Sequence, residues 1–213
     1  MKKTTATRRQ EIVRTAYHLM TEKGISSITT KELARQNGIS EAAIYRHFTN
    51  KHEIFMALLD GVEKDLFLTI NRAADRQAAP LDKLREIMRA HMNFTQRHKG
   101  GIFVITAECI HMRDRAFNQK LLGVIGRYIA TVKGILIQAQ RENAISSDID
   151  IESAGMMFYS LIQVAAMNFV LTDYKVKPIS NFNTMWSVFI RGVERDERIR
   201  TRAPHHNTRK LRR

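Results

Sequence analysis

Apolar residues recur at intervals of three and four along almost the whole chain, the period of helices with one buried face. Ile12, Ala16, Leu19 and Met20 predict a helix over residues 8–23, closed by Gly24, with a polar, fraying segment at 1–7 before it. Leu33 and Ala34 give a second, short helix a small apolar face. Thr29 and Glu32 stand at capping-box spacing, so that helix starts at Thr30, and Asn37-Gly38 ends it with the pair that best tolerates positive φ. Ser40 caps a third helix, on which Ile44 and Phe48 face inward while Glu41, Ala42, Tyr45, Arg46 and His47 face out. Asn50 and Glu53 repeat the capped start, and Ile54, Leu58, Val62 and Leu66 carry a long connector to about Ala74.

After a break at 75–80, Pro80 is placed to start a helix marked by Leu84, Ile87, Met88, Met92 and Phe94, which Lys99-Gly100-Gly101 stops. Residues 102–112 are rich enough in Ile and Val to suit a strand, but no second strand candidate exists to pair with them, so a helix is predicted. A long helix follows over 116–143 with Leu121, Ile125, Tyr128, Val132 and Ile135 facing in, then a polar loop at 146–150. The segment 151–171 is apolar nearly all round, with Ala154, Gly155, Ser160, Ala165 and Ala166 interspersed, and a last helix over 183–198 carries Trp186, Phe189, Ile190 and Val193. The expected fold is all-α, with about nine helices: a three-helix N-terminal unit at 1–52, a larger helical unit at 53–198, to which the family resemblance given below assigns regulation and dimerisation, and a basic, disordered tail at 199–213.

The stretch 29–51, TTKELARQNGISEAAIYRHFTNK, is the informative one. Two short helices joined by a turn containing glycine, the second with a small-residue start and an aromatic, basic outer face, form a helix-turn-helix, a unit that lays its second helix in the DNA major groove. Ala42 permits close approach to base edges; Arg46 suits either guanine or a phosphate, and Glu41 either cytosine or the first turn of its own helix. Lys51 opens a helix, where the dipole disfavours a cation; a phosphate partner explains it, and so does simple solvation.

The formal charge of +14 and pI near 10.3 favour a polyanionic partner. Yet residues 198–213 hold seven Lys or Arg and no acid, so half the excess lies in the tail and the charge says less about the helix-turn-helix than it first suggests. The N-terminus lacks the apolar run of a secretory signal, and Arg127 and Lys133 interrupt the longest apolar stretch, so no membrane span or membrane partner is expected. A lone cysteine, Cys109, excludes an intrachain disulfide and suits a reducing cytoplasm. No HExxH, Cys-x-x-Cys, phosphate loop or GxSxG elbow occurs, so neither catalysis nor a metal or other cofactor is expected.

The run ITTKELARQNGISEAAIYRHFTNKHEIF resembles the signature of the TetR-type regulators, in which Thr-Thr opens the second helix and Tyr-x-His-Phe closes the third. The resemblance implies an all-helical homodimer, located in the cytoplasm on the nucleoid, that binds an operator in double-stranded DNA. Carried over by position, Thr30, Tyr45, His47 and Lys51 fall at phosphate contacts, Glu41, Ala42 and Ala43 at base edges with Arg46 beside them, and Thr29 and Ser40 count among the DNA-binding residues. The family's middle helices usually surround a small-molecule effector, for which Met88, Met92, Phe103, Met112, Phe117, Met157 and Gln163 are candidates, each equally readable as core. Its last two helices form the dimer bundle, placing Ala154, Leu161, Ala165, Trp186, Phe189 and Ile190 at the interface. SEAAIYRHF and the stretch near 174–178 also resemble a nucleoid-occlusion member of the same family, which restrains cell division and supplies the alternative: a DNA-bound interaction protein with no small-molecule ligand.

Overall fold

The computed structural model describes residues 4–24 and 27–194, the side chains of Cys109 and Met112 excepted. Among them are nine α-helices and no strand: α1 Thr5–Lys23, α2 Thr30–Asn37, α3 Glu41–Tyr45, α4 Lys51–Asp75, α5 Pro80–Arg97, α6 Gly101–Met112, α7 Arg115–Arg141, α8 Ile151–Leu171 and α9 Phe182–Val193. Residues 102–112 are helical as expected. The tail expected to be disordered lies outside the described residues, as do residues 195–198 of the predicted last helix.

Helix ends follow side-chain chemistry. α1 begins three residues earlier than the apolar stripe implies because Thr4 caps it, accepting from the Thr7 N–H at 3.2 Å. Thr29 accepts from the Glu32 N–H at 3.1 Å, Gly38 ends α2 at φ 62°, and Ser40 accepts from the Ala43 N–H at 3.2 Å. The capping box at Thr29 is only half made. Glu32 turns outward to Arg35 and Gln36, whose hydrogen bonds hold its carboxyl down at about 2. Asp114 and Asp150 cap α7 and α8 in the same manner as Ser40.

One apolar core runs from the three N-terminal helices into the rest, through Ile12, Leu33, Ile44 and Phe48 to Leu58, Met88 and Phe158. α5 is the axis of the body, packed by α4, α7, α8 and α9. At its centre His91 Nδ1 meets the Tyr128 hydroxyl at 3.1 Å, both side chains buried. Gly100, at φ 70°, sits against Val170, which seats the α5–α6 turn on α8.

By length and composition alone α7 and α8 are each long and apolar enough to cross a membrane, their most apolar 18-residue windows having mean hydropathy 1.4 and 1.5. In this fold the two pack on each other. Lys133 pairs with Glu152 across them, while Lys120–Asp60 and Arg127–Glu63 tie α7 to α4.

Candidate nucleic-acid interface

α2 and α3 form the outer face of the N-terminal unit because Leu33, Ala34, Ile44 and Phe48 are buried against α1 and the start of α4. That leaves Ser40, Glu41, Ala42, Tyr45 and Arg46 exposed on one side, with Thr29 and Lys51 flanking them. The α-helical part of α3 ends at Tyr45, and Arg46 and His47 lie in the turn that follows. Ala43 does not join this face. It is 5% exposed, since position 43 of a helix starting at Glu41 points with Ile44 toward α1, so its side chain is core rather than a base contact. Thr30 is half-buried and donates its hydroxyl to Glu41 at 2.9 Å.

Thr29, Thr30, Tyr45 and Lys51, from three separate elements, line one surface hollow of about 360 Å³, completed by Thr49 and Asn50. Two helices begin beside it, α2 at Thr30 and α4 at Lys51, and helix starts present backbone N–H groups without intrahelical acceptors. Hydroxyls, an ammonium and helix N-termini around a shallow depression are groups whose chemistry suits a phosphate oxygen. Lys51 makes no ion pair among the described residues; its ammonium lies 5.1 Å from the centre of the Phe55 ring.

Sequence reasoning missed Arg9. Its guanidinium donates to the His47 carbonyl, pairs with Glu53 at 2.6 Å and lies 4.1 Å over the Phe48 ring, clamping α1 to the end of α3 and the start of α4. The Thr49 N–H and then Arg9 hold the Glu53 carboxyl below its usual range. No local pattern marks Arg9, because its partners stand about forty residues away.

The seven effector candidates are not gathered round a cavity. Met88, Met92 and Phe117 are buried core, Phe103 and Gln163 are half-buried, Met157 is exposed at 42%, and the Met112 side chain lies outside the described residues. The interior between α4, α5 and α7, beside His91 and Tyr128, leaves only about 10 Å³, room for one water at most and far too little for an effector. The interface candidates also divide. Ala154 and Phe189 are buried within the chain, Phe189 edge-on to Phe158, while Leu161, Ala165, Trp186 and Ile190 are half-buried. Gly155 serves the contact of α8 with α7: a Cβ there would come within 2.9 Å of Lys133. The large apolar side chains left exposed on these two helices are Met156, Met157, Val164, Met167 and Leu171 on α8 and Val188 on α9.

Residues 12–58 match the family model described as bacterial regulatory proteins, tetR family, and residues 63–192 match that of the YsiA-like protein C-terminal region. The nucleoid occlusion factor SlmA of Vibrio cholerae is 28% identical over 182 residues, which cover 85% of this chain and 93% of that protein. Among solved structures, a TetR transcription regulator from Haloarcula marismortui superposes with a TM-score of 0.77 at 17% identity, covering 89% of this chain and all of that one. The regulator FadR of Bacillus subtilis in complex with stearoyl-CoA gives 0.72 at 20% identity, covering 87% of this chain and 99% of that one.

Proposed function

Because the chain belongs to the tetR family of bacterial regulatory proteins, we propose that this DNA-binding regulator is a homodimeric repressor that a small-molecule effector releases from its operator. The observation that carries the DNA reading is the hollow lined by Thr29, Thr30, Tyr45 and Lys51, adjoining the exposed Ala42 and Arg46. Phosphates seated at the hollow set the register, and the start of α3 then meets base edges, with Ala42 offering close approach and Arg46 a guanidinium. The uncovered stripe on α8 and α9 supports pairing, since an apolar face of this kind is costly to leave in water. Paired heads read two half-sites about one DNA turn apart, so a small change in their separation releases the operator. No membrane is involved, and the working location is the cytoplasm, on the nucleoid.

One observation favours a second reading: the SlmA relatives align with this chain over nearly their full length. On that reading the DNA-bound dimer restrains cell division and has no small-molecule ligand. Genome-wide mapping of bound sites separates the two. A repressor occupies few sites, at promoters whose transcription rises when the chain is deleted. A nucleoid-occlusion protein occupies many sites dispersed over the chromosome, and its deletion lets division septa close over DNA.

A further inference from the structure

Between the N-terminal unit and the body, α1, the middle of α4 and the end of α5 enclose a groove of about 610 Å³. That volume lies within the range of small-molecule sites. Its walls are apolar and aromatic, with Leu58 and Phe94 buried at the base. At one end the Tyr17 hydroxyl and His98 Nδ1 hydrogen-bond to each other, and His98 stacks on Phe94 with ring centres 4.0 Å apart.

Gly61 lines this groove from the middle of the 25-residue α4. Its φ is not positive, and a Cβ there would meet nothing within 4 Å. Neither backbone geometry nor packing therefore requires a glycine, although glycine inside a helix is less stable than alanine. What its small size does is leave the groove open. The charges on the rim are unequal. Arg9 is paired with Glu53 and Asp60 with Lys120, while Arg14, Lys64 and Asp65 make no ion pair among the described residues, an unpaired balance of two cations to one anion.

We propose that this groove binds a small aromatic anion, its ring over Gly61 against Leu58 and Phe94 and its acidic group between Arg14 and Lys64. Such a ligand touches α1 and α4–α5 at once, so its affinity depends on how the DNA-binding unit sits on the body. Any effect on operator binding rests on the function proposed above; occupancy of the groove does not.

The test titrates the full chain with the fluorescent probe anilinonaphthalene sulfonate and with its uncharged counterpart phenylnaphthylamine. Expected are saturable binding of both, loss of both in Gly61→Leu, and a sulfonate affinity about tenfold weaker in Arg14→Gln/Lys64→Gln with the neutral probe unaffected. Unchanged sulfonate binding in Gly61→Leu, or equal weakening of both probes in the double variant, overturns the proposal. The His98 imidazole NMR signals of the unaltered chain give a measurement free of any folding defect: they shift saturably with the sulfonate, and signals that do not move overturn the assignment. Duplex affinity of Gly61→Leu, measured alongside, is expected to persist, which separates loss of the groove from failure of the DNA-binding reading.

Discussion

Thr30 donates its hydroxyl to the carboxylate of Glu41 across 2.9 Å, joining the first turn of α2 to the first turn of α3. The bond ties α3 to α2, and on the proposed DNA reading the carboxylate charge it holds opposes phosphates at the neighbouring hollow. Glu41→Gln keeps an acceptor for Thr30 and removes the charge, so affinity for random-sequence duplex should rise a few-fold. Thr30→Val should lower it. Fluorescence anisotropy with a labelled duplex measures both, and weaker random-duplex binding in Glu41→Gln would make the carboxylate itself a DNA contact.

Gly100 joins α5 to α6 at φ 70°, and a Cβ on it would overlap the side chain of Val170. Gly100→Ala should cost about 2–3 kcal/mol, part from the left-handed backbone and part from the overlap. Adding Val170→Ala removes the overlap but not the backbone strain. Denaturant midpoints should therefore show partial recovery in the double variant, and full recovery would mean that the backbone imposes no strain.

Burial pushes the His91 imidazole down to about 3 and keeps it neutral against Tyr128, whose hydroxyl is likewise pushed up by burial. The unfolded chain takes up this proton below about pH 6.5 and the folded chain refuses it, so stability is full above that pH and declines below it by about 1.4 kcal/mol per unit. The decline from this group ends near pH 3, where the folded form also protonates. His91→Gln keeps a polar partner for Tyr128 and cannot titrate. Its urea stability should lose one proton's worth of dependence between about pH 7 and about pH 5, and an unchanged slope would assign the effect to other groups.

Val164, 57% exposed on α8, stands in the uncovered apolar stripe with Leu171 and Val188. Val164→Glu should yield monomers in sedimentation without loss of helical content. A dimer of unchanged strength would place the interface elsewhere.

What the sequence made legible follows from what is local. Caps at Thr29, Ser40 and Asn50 and the burial of Ile44 and Phe48 depend on neighbours within a few residues, and the structure reproduces them. Which face of α8 is free could not be read, because a helix apolar all round has no periodicity to choose between the contact with α7 and the outer stripe. The methionines mislead for a related reason: Met88 and Met157 are alike in sequence, yet α5 is wrapped by other helices while position 157 faces outward. Arg9 and the groove at Gly61 arise from contacts between distant elements, and no spacing rule reaches that far.

The central claim, that the hollow beside α3 seats a DNA phosphate, is tested most directly through Lys51. Lys51→Gln removes one ammonium from that hollow with little effect on folding, since the side chain is exposed and its ammonium lies over the Phe55 ring. Duplex affinity measured over a range of salt concentrations should be weaker at every salt, with the slope of log affinity against log salt smaller by about one. An unchanged slope, or an unaltered chain that shows no salt-dependent duplex binding, would contradict the account.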